Sequence, residues 1–252
     1  MQGKIAIVSG AAQGIGASIV EALSAQGVTV AALDVQVDAL AALAQTSANI
    51  HAYPVDVRSS QAVRDVVAQI EAELGAIDIL VNVAGVLRLG AVCDLSFDDW
   101  ELTFSVNTHG VFYLSQAVAQ RMKTRRAGNI VTVGSNAAAV PRMQMAAYAA
   151  SKAASSHFTK CLGLELAEYG IRCNIVSPGS TDTAMQRQLW TSESDAQKVI
   201  DGALPSFRTG IPLRRIAATT DIVAPVLFLL SDAAKHITMH NLCVDGGATL
   251  GV

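Results

Sequence analysis

The chain has 252 residues, 51% of them hydrophobic and 15% charged, a make-up far from that of disordered chains and ample for a buried core. A net charge of -3 leaves no basic surplus for phosphate backbones or anionic bilayers, so neither nucleic acid nor a membrane surface is an expected partner. The apolar start is too short for a signal peptide, the apolar run 222–230 is too short to span a bilayer, and the four cysteines form no C-x-x-C, which together predict a soluble, cytoplasmic protein.

Residues 4–8 read as a buried strand, and Ser9-Gly10-Ala11-Ala12-Gln13-Gly14-Ile15-Gly16 follows as a glycine-rich turn opening a helix over 14–26. Glycines there let the backbone approach a pyrophosphate, which the unpaired N–H groups of the helix start attract. Gly10, Gln13, Gly14, Ile15 and Gly16 are therefore candidate cofactor residues, although a G-x-x-x-G-x-G spacing taken alone also suits a structural turn. A second strand, 28–33, leads to Asp34, about 20 residues past the turn. A carboxylate there hydrogen-bonds an adenosine ribose and repels a 2′-phosphate, so it selects NAD over NADP; the alternative role for Asp34 is a helix N-cap. A weaker strand over 51–55 precedes Asp56-Val57, a helix covers 59–74, and a strand over 77–82 runs into Asn82-Val83-Ala84-Gly85. Asp56, Val57, Asn82, Ala84 and Gly85 thus fall at carboxyl ends of strands, where doubly wound sheets bind their ligands.

A long helix is expected over 97–122, and within it Asn107, in SVNTHG, has low helix propensity and Gly110 close by. The functional reading is a local disturbance holding a water on a path from Lys152 to solvent, and the alternative is a tolerated polar residue. The strand 129–133 ends just before Ser135, on the sheet edge that carries the glycine turn. Thirteen residues later Tyr148 and Lys152 sit four apart in a helix over 146–169, so they share one face. A cation beside a phenol favours the phenolate, and the Tyr148 pKa is expected to fall from about 10. Such a pair is ordinary on a helix; Ser135, placed to hold a substrate oxygen while Tyr148 takes the proton, makes it a candidate catalytic set.

Arg88 and Arg142 flank that set, and guanidinium groups grip a carboxylate with two bonds, so an anionic substrate is expected unless both are merely solvated. After the strand 171–177, the stretch 181–212 is much longer than loops of this type usually are and is read as a helical lid. Its Met185, Leu189 and Trp190 would suit a flat ring, or equally core or dimer contacts. A helix over 219–231 and a strand over 241–244 complete the chain, and Gly27, Gly75 and Gly170 follow helices where left-handed caps are wanted. No linker or repeat divides the chain. The expected fold is α/β: one domain over 1–252 with a doubly wound, Rossmann-type parallel sheet of about seven strands and helices on both faces. His236 and His240 are spaced four apart without a third ligand in sight, so no metal is expected.

In order and spacing, SGAAQGIG, Asp34, NVAG at 82–85, Asn107, Ser135, Tyr148-x-x-x-Lys152 and SPGSTDT at 177–183 resemble the short-chain dehydrogenase/reductase family over essentially the whole chain. That resemblance implies catalytic roles for Ser135, Tyr148, Lys152 and Asn107, and contacts from Pro178, Gly179, Thr181 and Thr183, with Tyr148 and Lys152, to the nicotinamide end of the cofactor. It also implies a homotetramer. Two departures are mild: Ser9 stands for the usual Thr and keeps a hydroxyl, while Val83 stands for the second Asn of NNAG and puts one backbone-supporting contact in doubt. Longer passages, LVNVAGVLRLGA and SNAAAVPRMQMAAYAASKAA among them, are similar to family members that oxidise a small anionic cyclic dihydrodiol to a catechol. The rival within enzymes is a 3-oxoacyl-thioester reductase, disfavoured by Asp34. Outside enzymes it is an NAD-binding regulatory subunit, against which the complete Ser/Tyr/Lys set speaks.

Overall fold

Strands that are apolar at nearly every position can only form a sheet that is covered on both faces. The computed structural model, which describes residues 1–188, 190 and 194–251, has that arrangement. Strands β1 (Ile5–Ser9), β2 (Thr29–Asp34), β3 (Ile50–Pro54), β4 (Ile79–Asn82), β5 (Gly128–Val133), β6 (Ile171–Pro178) and β7 (Asn241–Val244) form one parallel sheet in the order β3-β2-β1-β4-β5-β6-β7. Side chains alternate between two cores. Ala6 and Val8 of β1 pack with helices α1 (Gly14–Ala25), α2 (Val37–Ala44) and α9 (Thr219–Leu230), whereas Ile7 faces α3 (Ser60–Leu74), α5 (Val111–Arg125) and the end of α6 (Ala146–Leu166). Fully buried residues such as Ile7, Ile19 and Leu80 each contribute about 1.5–3 kcal/mol.

Sheet order places the site. From β1 the chain builds outward through β2 and β3, then returns to lay β4 on the other side of β1. The loops after β1 and β4 therefore diverge from neighbouring strand ends and leave a crevice at the carboxyl edge.

The seven predicted strands and five predicted helices are all present, with ends shifted by a few residues, and three differences have physical causes. Helix α2 was not expected: it is eight residues long and Gln36 at its start provides no side-chain cap. The helix expected over 97–122 is divided into α4 (Phe97–Phe104), a π-helical turn over Ser105–Gly110, and α5, which begins at Val111. Gly27 and Gly170 take left-handed φ values of 74° and 70°, but Gly75, at φ 108° and ψ -164°, carries the chain straight on towards β4 instead of curling over the helix end.

Candidate active site

The glycine turn and the NVAG loop touch across the crevice. A Cβ on Gly10 would lie 2.7 Å from the Ala84 backbone, and one on Gly16 would lie 1.9 Å from the Gly10 carbonyl oxygen, so neither position admits a side chain. Ser9 Oγ accepts hydrogen bonds from the N–H groups of Val83 (3.1 Å) and Ala84 (3.3 Å), so the hydroxyl that replaces the usual Thr holds the loop in which Val83 replaces Asn. Asp34 accepts from Ala12 N at 3.0 Å with one carboxylate oxygen and from Gln36 N at 3.0 Å with the other. The Gln36 bond braces the entry to α2, and the Ala12 bond ties β2 to the glycine turn. Each oxygen keeps a further lone pair for a ribose hydroxyl.

A cavity of about 500 Å³ opens here, within the range of small-ligand sites. It is lined by every predicted cofactor residue except Asn82, and also by Ser135, Arg88, Arg142 and Met185. Asn82 is buried behind the wall, where its Nδ2 donates to Ser115 Oγ at 3.0 Å and its Oδ1 has no hydrogen-bond partner among the described residues. Its side chain braces the end of β4 instead of facing a ligand. Asp56 stands on the wall with its carboxyl held below the usual range by hydrogen bonds from Arg58. The glycine cradle, the helix start behind it and the Asp34 carboxylate fit the pyrophosphate and ribose of a nicotinamide dinucleotide.

At the inner end, α6 presents Tyr148 and Lys152 on the face turned to β5. Lys152 is 4% exposed, and its Nζ donates to Val133 O at 2.9 Å and lies 5.9 Å from the centre of the Tyr148 ring. Ser135, just past β5, accepts from Ala137 N at 3.1 Å and hydrogen-bonds the Tyr148 hydroxyl with its own. Asn107 lies inside the π-helical turn, fully buried, and does not reach the cavity surface. Its Oδ1 accepts from Val86 N at 2.8 Å, and its Nδ2 donates to Val86 O at 2.9 Å and to Ser151 Oγ at 3.0 Å. A Cβ on Gly85 would lie 3.3 Å from that Oδ1 and 3.5 Å from Lys152 Nζ, which puts both side chains close against Gly85. The local disturbance expected at Asn107 is the π turn, which displaces backbone carbonyls from the α-helical ladder.

One expectation is reversed. Burial pushes the Tyr148 pKa up, with the Ser135 hydrogen bond offsetting only part of that, and burial pulls Lys152 down from 10.5 to about 8. The ammonium is turned to the Val133 carbonyl, and desolvation of the phenol outweighs it.

At the outer end Arg88 is held by Asp99 at 3.3 Å and Arg142 faces the cavity. Leu189 falls outside the described residues; Trp190 is half-buried and off the cavity wall. Among the wall residues that sequence reasoning missed are Gln186 and Arg208, both within 181–212. Gln186 Nε2 is buried without a partner among the described residues. Neither residue belongs to a periodic pattern, and the signal that was available was only that the segment is long. His236 and His240 are not on a helix, and no group of three or more His, Cys, Asp or Glu gathers among the described residues.

Comparison with known proteins agrees with this geometry. The short chain dehydrogenase family model matches residues 4–194. The chain is 58% identical to 2,3-dihydro-2,3-dihydroxybenzoate dehydrogenase of Bacillus subtilis (strain 168), covering 100% of this chain and 98% of that one. It is 44% identical to the protein of the same name from Escherichia coli (strain K12), covering 99% and 98%. Among solved structures, a gluconate 5-dehydrogenase from Burkholderia cenocepacia J2315 in complex with NADP and tartrate superposes with a TM-score of 0.92 at 30% identity, over 100% of this chain and 97% of that one. With the glycine cradle, the Ser135–Tyr148–Lys152 set and a family match over most of its length, the chain belongs to the short-chain dehydrogenase/reductase family and is an oxidoreductase.

Proposed function

We propose that the protein oxidises 2,3-dihydro-2,3-dihydroxybenzoate to 2,3-dihydroxybenzoate with NAD, a step in making catechol siderophores. The observation that carries this reading is one cavity that joins the Ser135–Tyr148 pair to unpaired arginine at the far end. The full-length likeness to the Bacillus subtilis dehydrogenase supports the substrate, and Asp34, braced where a 2′-phosphate would meet its charge, supports NAD.

When bound, the dinucleotide supplies a cationic ring that accepts a hydride. Ser135 Oγ holds the substrate hydroxyl oxygen, and Tyr148 Oη takes its proton as the carbon-bound hydrogen leaves with its electron pair. Lys152, protonated below pH about 8, holds positive charge behind the phenol. Asn107 fixes Val86 and Ser151 around that lysine, and its π turn is the place for a water leading the proton outward. Oxidation of the ring hydroxyl farther from the carboxylate gives a ketone, which tautomerises to the catechol as the adjacent ring carbon releases a proton and the ketone oxygen takes one up. Overall, one hydride and one proton leave the substrate, and aromatisation makes the reaction effectively one-way.

The whole chain, 1–252, acts in this reading as one dinucleotide-binding and catalytic domain, with 181–212 as the substrate lid. Helix α7 (Ala184–Arg187) and the strand-like pair at Ala203 and Arg208 bring that segment to the cavity. The assembly is a homotetramer. Exposed Phe112 and Leu164 on α5 and α6, and Phe228 and Leu250 near the C-terminus, are the apolar surface that supports it. No helix among the described residues is long and apolar enough to cross a membrane, and the free cysteines suit the reducing cytoplasm, where we place the protein.

The test is NAD reduction with the cyclic dihydrodiol carboxylate and with its decarboxylated analogue. Rapid turnover of the first, and kcat/KM at least about tenfold lower for the second, are expected from loss of a charge-assisted pair. Equal turnover removes the substrate assignment. NADP serving as well as NAD removes the cofactor assignment.

A further inference from the structure

The cavity's outer end raises a question that a family match does not answer: which cations hold the substrate's carboxylate. Arg88 lines the wall, but Asp99 already neutralises it at 3.3 Å. Arg142 and Arg208 differ from every other arginine of the chain. Each of the others donates to a carboxylate, a carbonyl or a side-chain amide oxygen, as Arg187 does to Asp182 and Arg172 to Ser231 and Ile237. Arg142 and Arg208 have no such partner among the described residues, yet both line the cavity that holds Ser135 and Tyr148.

Backbone structure delivers each of them. Arg142 stands in the loop between Ser135 and α6, which is pinned to the Arg88 loop by Gly90 N donating to Gln144 O at 3.0 Å and by the bridge between Gly90 and Met145. Arg208 closes a tight hairpin in which Ala203 N donates to Arg208 O at 2.9 Å and Arg208 N to Ala203 O at 3.1 Å. Burial and the Arg142 charge both push the Arg208 guanidinium below its usual pKa, as expected where two unneutralised cations share one wall. Two such cations are costly side by side until an anion lies between them, and a carboxylate has one oxygen for each. Met145 and Met185, on the same wall, offer polarizable surface to a flat ring, and the orphaned Gln186 amide offers a donor to a ring oxygen.

We propose that Arg142 and Arg208 together form the clasp for the ring carboxylate, so that Arg208 is a specificity-determining residue for the reaction. This rests on the proposed function for the substrate's identity, but not for the clasp itself. An aromatic carboxylate binds there whether or not it is turned over. Because Arg208 lies in 181–212 and Arg142 on the body of the sheet edge, the bound anion also fastens that segment across the site.

The test is calorimetric binding of 2,3-dihydroxybenzoate and of catechol to the wild type, R142M, R208M, R208K and the exposed control R64M. The wild type is expected to bind the carboxylate at least about a hundredfold tighter than catechol. R142M and R208M each lose about tenfold or more for the carboxylate and little for catechol, R208K recovers part of the loss, and R64M matches the wild type. If R208M keeps the wild-type preference for the carboxylate, or the wild type has none, the clasp is wrong. Circular dichroism and unchanged catechol affinity separate a lost clasp from a misfolded variant. Steady-state assays divide the two ideas further: a wild type that binds the acid through both arginines but does not oxidise the dihydrodiol refutes the proposed function and leaves the clasp standing.

Discussion

Replacing Lys152 by Met should remove activity and yet leave the fold as stable as before, or more so, at neutral pH. The lysine is 4% exposed and burial lowers its pKa from 10.5 to about 8. At about 1.36 kcal/mol for each pH unit, keeping it charged in the native state costs about 3 kcal/mol. Its bond to Val133 O at 2.9 Å returns about 1.5–3 kcal/mol, so at pH 7 the variant is expected to lie between parity and about 2 kcal/mol more stable. The sharper test is the pH dependence. The native pKa lies below the unfolded one, so between pH about 8 and 10.5 the unfolded chain binds a proton that the native chain has released. Stability conferred by the wild-type lysine therefore rises with pH through that window, by up to about 3 kcal/mol relative to K152M, and is level on either side of it. Urea denaturation of both proteins at equal concentration from pH 7 to 10.5 measures the gap. Parallel stability curves across that range would refute the desolvation argument.

Tyr148→Phe should lower kcat by about 10²–10⁴-fold while dinucleotide affinity, measured by calorimetry, moves little. In the free protein, tyrosinate absorbance of the wild type minus that of Y148F should place the Tyr148 titration above 10, in line with burial raising it, and NAD should move it down. Gly16→Ala sets a Cβ 1.9 Å from the Gly10 carbonyl oxygen, a backbone atom that no rotamer change relieves. It should cost about 1–3 kcal/mol in thermal or urea unfolding and weaken NAD binding at least about tenfold.

How far the sequence carried the argument depended on what each residue's role relies on. The strands were legible because burial on both faces leaves continuous apolar runs such as IAIVS and ILVN. The glycine turn was legible because close backbone approach, of Gly10 to Ala84 and of Gly16 to the Gly10 carbonyl, forces glycine at fixed spacings. Tyr148 and Lys152 were legible as neighbours because helical spacing is local. Asn82 was misplaced because the sequence shows that a residue follows a strand but not which way its side chain turns; here it turns inward to Ser115. Arg208 was missed for a related reason. It is brought to the site by a hairpin whose pairing, Ala203 with Arg208, leaves no hydrophobic period.

The reversed Tyr148 shift tells more than any of these. Sequence spacing puts a cation four residues away and suggests a ready-made phenolate, but spacing carries no information about solvent. With the lysine buried and the phenol half-buried in the cavity wall, each is driven towards its neutral form: the phenol keeps its proton and the ammonium loses hold of its own near pH 8. The Ser135 hydrogen bond is too weak to undo this, and Lys152 is committed to Val133 O. A base strong enough to take an alcohol proton therefore has to be completed by whatever adds positive charge beside the phenol, and a cationic nicotinamide ring does so only when it is bound. For the proposed reaction this predicts that Tyr148 rests protonated in the free protein and ionises only in the complex, so that the burial which suppresses the base would also couple its appearance to the presence of the oxidant.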